Sequence, residues 1–356
     1  MKQTMENQSI FKSGWIVSRN YDLFFFIGSF LFALMFYGIY RLCIYSGLEV
    51  NGLSILVTYF IFTAVFDHPH IFQTFSRTHA DGEEFARRPK TYTLGILAFI
   101  GAGFILTGLG YVKELIIFAA YFGSYHVIKQ HYGFMRIYKA RNGDVLQTDN
   151  IIDSLTFYSG MFACFFNNFT YDGKPVLIYG DLNVVFPGTP DFVGETVWMI
   201  FKGSAAVFVL RQIQLVISGK QINLPKILLM SSALFIHYFV FFATETAFLV
   251  AESIETAFHA VQYQGWMMHF QEKRYPNARK IALKWFLVSL LYGVTAGVIE
   301  IYGLLSYVWA VWLFVPFSML ILFHYFIDGY IWKFRDYPEL GKLLLSGSSP
   351  SAESVS

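Results

Sequence analysis

The sequence predicts an all-α protein that crosses a membrane as a bundle of about ten helices. Of its 356 residues 55% are hydrophobic and only 14% charged, whereas a soluble domain carries about 25% charged residues. Apolar runs of helix length recur from one end to the other, as a bilayer core of about 30 Å demands. Lys and Arg crowd into alternate connections, the pattern that keeps positive loops in the cytoplasm. A net charge of +2 and the lack of a basic stripe argue against a nucleic-acid partner.

The runs place spans at 23–46, 52–74, 92–112, 114–138, 150–169, 194–217, 227–248, 250–271, 281–303 and 306–331. The polar stretch before them, through Asn20, lacks the short apolar core and cleavage site of a signal peptide, so the first run is expected to stay as a span. Connections after even-numbered spans hold Arg77, Arg87, Arg88 and Lys90; Arg136, Lys139 and Arg141; Lys220 and Lys226; Lys273, Arg274, Arg279 and Lys280; and Lys333, Arg335 and Lys342. After odd-numbered spans only Arg41, Lys113 and Lys174 occur. Both termini are therefore expected in the cytoplasm. Residues 1–345 read as one transmembrane domain. Within it, a long exterior loop at about 171–195 carries Gly180, Pro187, Gly188 and Pro190 and suits a lid or cap. The Ser-rich stretch 346–356 reads as a disordered tail. Cys43 and Cys164 lie in apolar runs without a CxxC partner, which argues against disulfides and a structural zinc site. No P-loop, GxSxG or dinucleotide fingerprint occurs.

The nine histidines carry the functional signal. Asp67-His68-Pro69-His70 ends the second span, and the fourth holds His126 and Gln130-His131-Tyr132-Gly133. The eighth contains Glu252, Glu255, His259 and Gln262, and the tenth ends His324-Tyr325-Phe326-Ile327-Asp328. His237 in the seventh span sits at a similar depth. All four His-bearing spans run toward the basic side, so their imidazoles and carboxylates fall at one level of the bilayer. An intramembrane Asp, Lys or Arg costs about 2.5–3.5 kcal/mol even on the lenient insertion scale; such groups persist when they pair, face a cavity or bind a metal. Imidazole is the commonest metal ligand, and a carboxylate often orients its second nitrogen. Glu255 with His259 and His324 with Asp328 are i,i+4 neighbours, and Asp67 with His70 is i,i+3. His126 and His131 lie roughly 140° apart around a helix, so only one should face a shared ion. The expected ligands are His70, His131, His259 and His324, with His68 and His126 in reserve. Glu255, Tyr263 and Asp328 are expected to act beside the metal.

Histidine with carboxylate ligation suits iron, zinc or copper, and open positions on such a site suit non-haem Fe(II) working on oxygen. Without thiolates an iron–sulfur cluster is excluded. Apolar surroundings admit dioxygen and a lipid-soluble substrate directly from the bilayer.

Pro69-His70, His131-Tyr132-Gly133 and His324-Tyr325-Phe326-Ile327-Asp328 resemble motifs of the bacterial and archaeal Brp/Blh family, membrane-embedded iron-dependent β-carotene 15,15′-dioxygenases. The resemblance implies one or two non-haem iron ions, dioxygen, a hydrophobic isoprenoid or lipid substrate, an electron donor where the reaction needs one, and the inner membrane of a bacterium. It covers only these short motifs. It also departs at His259-Ala-Val-Gln-Tyr263, where the family carries a His-x3-His pair; His237, Glu255 or His126 would have to replace the missing ligand. Two other readings fit the same residues: a proton-coupled transporter with an intramembrane His and acidic relay, and a haem protein with axial histidines.

Overall fold

The computed structural model describes residues 10–49, 52–169, 175–180, 182–244, 246–305 and 307–345. The expected tail at 346–356, and residues 171–174 and 181 of the expected exterior loop, lie outside them. Each of the ten apolar stretches is helical. The first comprises α1 (Arg19–Asp22), a π turn (Leu23–Ile27) and α2 (Phe30–Tyr45). In the second, α3 (Leu53–Phe62), a π turn (Thr63–Asp67) and α4 (His68–Arg77) form one rod. A short α5 (Gly82–Arg87) precedes α6 (Pro89–Gly108), α7 (Val112–Arg141), α8 (Gln147–Phe169), α9 (Asp191–Ile217) and α10 (Leu224–Tyr238), the last extended by a π turn (Phe239–Ala243). The chain closes with α11 (Phe248–Arg274), α12 (Ile281–Leu304), α13 (Val308–Ile331) and α14 (Pro338–Leu345).

Six of these rods are long and apolar enough to cross a membrane: α3–α4, α6, α9, α10 with its π turn, α12 and α13. A seventh is added if α1 and α2, bent by 43° at Gly28–Ser29, count as one span. The remaining three, α7, α8 and α11, are more polar, and for α11 the reason is where it sits. From Ser253 to Gln271 almost every residue of α11 is buried, enclosed by α2, α3, α4, α7, α10 and α12. Its Gln and His side chains meet protein. Little of α6 or α9 is covered by the rest of the chain, and their open faces present Leu94, Leu97, Ile105, Phe192, Met199 and Leu210. Apolar helices on the outside around a polar one inside is the arrangement that lipid, not water, would stabilise.

The expected exterior loop contains a two-stranded antiparallel hairpin, β2 (Val176–Tyr179) with β3 (Leu182–Val184). Gly180 at its turn has φ 55°, a left-handed conformation that glycine adopts at little cost. Phe186 beyond it stacks on Phe248 of α11 at 5.6 Å. At the other end of the bundle the two described ends of the chain meet the basic connections. β1 (Phe11–Lys12) pairs in parallel with β4 (Ile222–Asn223), Gly14 N donates to Asn142 Oδ1 (2.8 Å), and Arg141 Nη1 donates to Leu345 O. Many residues read as topology signals are in fact buried in ion networks. Arg77 Nη1 and Nη2 bridge Asp81 (3.3 Å) and Glu84 (3.1 Å), and Arg274 adds a second cation on Asp81 (2.8 Å). Lys139 and Lys226 share Asp144 and Asp153.

The π turn at Thr63–Asp67 has an identifiable cause. Pro69 lacks an N–H and its ring crowds the carbonyl four residues back, so the ladder must open there. The widened turn is accommodated by Gly293 and Gly297 of α12, spaced as Gly-x3-Gly for close helix approach. A Cβ at Gly293 would fall 2.4 Å from Ala64 O and 2.6 Å from Pro69 Cδ. Gly293→Leu is therefore expected to lower stability by about 1–3 kcal/mol, read as a lower thermal midpoint in detergent. Gly101→Leu, where nothing lies within 4 Å of an added Cβ, should leave it unchanged.

Candidate metal centre

Four helices bring four imidazoles together. His70 lies just past the Pro69 bulge on α4, His126 midway along α7, His259 midway along α11 and His324 toward the basic end of α13. His70 and His259 have ring centroids 5.0 Å apart, as do His70 and His324. His126 lies 4.9 Å from both His259 and His324. Donor atoms of His70, His259 and His324 all fall within 4.8 Å of one another, and so do those of His126, His324 and Asp328. All four rings are buried.

Hydrogen bonds around the group fix which nitrogens face it. Asp328 Oδ1 accepts from Tyr263 Oη (3.0 Å). Tyr263 has one hydroxyl proton, so in its 2.8 Å contact with Thr74 Oγ1 it must be the acceptor. Thr74 has then used its own proton, and the 2.7 Å contact with His324 Nδ1 requires the imidazole to donate. His324 Nε2 is left with its lone pair. His70 Nδ1 donates to Phe66 O (3.3 Å), a carbonyl that only accepts, and its Nε2 is likewise a bare acceptor. Asp67 Oδ1 stands 3.6 Å from the same Nδ1. On the far side, Gln130 Nε2 donates to His259 O (3.0 Å) and Gln262 Oε1 (3.2 Å), and Gln262 Nε2 donates to Phe26 O (2.6 Å). This chain of amides ties α7 and α11 to the first π turn.

The expected residues divide as follows. His70, His259, His324 and Asp328 meet, with Tyr263 bonded to Asp328 and its ring 5.2 Å from that of His324. His126, held in reserve by the sequence reading, stands where His131 was expected. His131 lies outside the group, because the two face different sides of α7: its ring packs on Phe258 at 4.6 Å and faces His237 at 6.1 Å. His68 also points elsewhere, with Nε2 3.1 Å from Glu300 Oε2, whose Oε1 accepts from Tyr59 Oη (3.0 Å). Glu255 turns to another partner: its Oε1 lies 3.0 Å from His237 Nε2. Sequence reasoning missed Thr74, and it set Gln130 beside His131 rather than on the face of His126. Gln130 had a usable signal, since it falls four residues after His126 and so shares its face.

The donor set fits a metal ion. His70 Nε2, His126 Nε2, His324 Nε2 and both nitrogens of His259 are buried without a hydrogen-bond partner, although a buried polar atom left unmet costs about 1–3 kcal/mol. Nitrogen ligands about 2.1 Å from one ion stand no more than about 4.2 Å apart, which small side-chain rotations reach from the spacing above. Two bare Nε2 atoms with outward Nδ1–H groups anchored to Thr74 and Phe66 O match the way metal-bound histidines are oriented. Comparison with family models, curated proteins and solved structures found no match to this chain.

Thr74→Val breaks the relay at its centre and leaves His324 Nδ1–H without an acceptor. It is expected to cost about 1–3 kcal/mol of stability, measured by chemical unfolding in detergent. Thr58→Val, which loses only a bond to its own helix at Ser54 O, should cost less.

Proposed function

We propose that this protein is a membrane-embedded oxygenase that holds non-haem iron on His70, His126, His259 and His324 and oxidises a hydrophobic isoprenoid or lipid. The observation that carries the reading is four buried imidazoles, one from each of four helices, with their unsatisfied nitrogens gathered at about 5 Å spacing. An all-imidazole set with a nearby carboxylate suits iron that activates oxygen; the ion's part is to bind and activate dioxygen. The chain's part is position and exclusion. Thr74, Tyr263 and Asp328 hold His324 in one tautomer, Asp67 and Phe66 O hold His70, and Gln130 fixes the separation of α7 from α11. Apolar helices keep bulk water away and give a lipid-soluble substrate entry from the bilayer. Ten spans with both ends in the cytoplasm of a bacterial inner membrane complete the proposal, supported by the alternation of basic connections and by the two described chain ends meeting those connections. The resemblance to the Brp/Blh dioxygenases belongs to the same reading, with His126 supplying the ligand that the missing His-x3-His pair would otherwise leave out. Rings about 5 Å apart leave no slot for a porphyrin, which weighs against haem.

Purified protein is expected to carry near-stoichiometric iron without a Soret band. His70→Ala, His126→Ala, His259→Ala and His324→Ala should each lose iron while still inserting into the membrane. His131→Ala should keep it. Thr74→Val should weaken iron binding about 10- to 100-fold, the usual cost of removing a group that orients a metal-bound histidine. Wild-type protein that takes up no metal would favour the transporter, and loss of iron in His131→Ala but not His126→Ala would overturn the ligand set.

A further inference from the structure

A cleft with a cavity volume of ≈ 50 Å³ reaches one ring of the imidazole group, that of His259, and its walls are of two kinds. From α7 come Gly123 and Ser124, small residues that make the room; from α13 comes Tyr325. From α11 come Glu252, Glu255 and His259, at positions i, i+3 and i+7 of one helical stripe. His259 is 1% exposed and both its nitrogens lack a partner among the described residues, so an unsatisfied residue of the proposed centre forms part of the wall. Glu255 Oε1 lies 3.0 Å from His237 Nε2, whereas Glu252 makes no hydrogen bond or ion pair with any described residue. Phe241 and Phe248 form an apolar part of the lining. The volume suits a few water molecules or one small polar group.

Among the described residues no Lys or Arg lines this cleft. A carboxylate or phosphate entering it would be an unbalanced anion in a low dielectric, which is costly whatever charge the two glutamates carry. Any negative charge on them adds like-charge repulsion of several kcal/mol. The glutamates also offer oxygen acceptors, for which a pure hydrocarbon has no donor. Resting on the reading of the centre as an oxygenase, we infer that the substrate enters with a hydrogen-bond-donating end, a hydroxyl or an amine, and that molecules with an anionic end are rejected. The donor group meets Glu252 and Glu255 while the apolar remainder lies along the Phe-lined wall, which puts a carbon near the polar end next to the imidazoles.

The test measures binding rather than turnover, with iron content determined on every sample, so that failure of the centre and failure of this inference are separable. Dodecanol, dodecylamine and dodecanoate are titrated against the full-length protein in non-ionic detergent at neutral pH. The alcohol and the amine are expected to bind more than about tenfold tighter than the carboxylate, a difference that one charge mismatch readily produces; which of the two binds tighter distinguishes a hydroxyl substrate from an amine. Gly123→Leu, which fills the cleft beside Tyr325, should abolish binding of both. Because that variant also tests packing, Glu252→Gln serves beside it: amine affinity should fall several-fold against that of the alcohol, with iron retained. Carboxylate binding as tight as that of the alcohol, or unchanged ligand binding in Gly123→Leu, or unchanged amine affinity in Glu252→Gln, would overturn the inference.

Discussion

Lone pairs gathered without donors are the constraint around which this protein is built. Five buried imidazole nitrogens at the centre of the bundle have no hydrogen-bond partner, and each would cost about 1–3 kcal/mol if it stayed so. Such an arrangement persists when something positive completes it and when the surroundings prevent the rings from turning away. Both conditions shape the neighbouring structure. The relay from His324 through Thr74 and Tyr263 to Asp328 runs in one direction only, because each hydroxyl has a single proton. The result is one tautomer, aimed inward. At His70 a backbone carbonyl does the same work, and that carbonyl, Phe66 O, lies within the π turn that Pro69 imposes. The π turn thus carries the carbonyl that orients the ring.

Holding four helices at this separation needs structure at both ends. Gly293 and Gly297 let α12 close on the widened turn behind His70, so that the bulge is packed rather than solvated. At the basic end, Arg77 is fixed by Asp81 and Glu84 and lies over the rings of Phe270, Trp332 and Tyr337 at 5.4–5.9 Å. Tyr92 and Tyr337 donate to Glu84 as well. These contacts join the end of α4, which carries His70 and Thr74, to α6, to α11 and to the segment after α13. Buried ion pairs of this kind add little net stability but are costly to break singly; here they set the register between helices that carry the four imidazoles. Lys139 and Lys226 with Asp144 and Asp153 do so for α7, α8 and α10.

Much of this was legible in the sequence, and the misses have physical reasons. Apolar runs located every long helix, because lipid-facing and core-facing residues are both apolar and the run survives whichever way a helix turns. His70, His259 and His324 were legible because each has a carboxylate one helical turn or less away. Choosing between His126 and His131 required knowing which face of α7 looks inward. The flanking Tyr132-Gly133 favoured His131, whereas Gln130, one turn after His126, marks the face that meets α11. His68 was drawn in by its neighbours in Asp67-His68-Pro69-His70, yet two residues along a helix turn the side chain to the opposite side, toward Glu300. Thr74 was not legible, since an isolated Thr in an apolar helix looks the same whether it bonds its own backbone or orients a ligand. The polarity of α11 could be seen in the sequence, but its meaning, burial against protein on every side, depends on tertiary contacts.

The claim that these four rings share an ion is most directly tested by X-ray absorption at the iron edge on the purified, iron-loaded protein. Imidazole back-scattering from close to four rings is expected, reduced by one ring in His126→Ala and unchanged in His131→Ala. A spectrum without imidazole scattering, or one altered by the change at His131 and indifferent to that at His126, would contradict it.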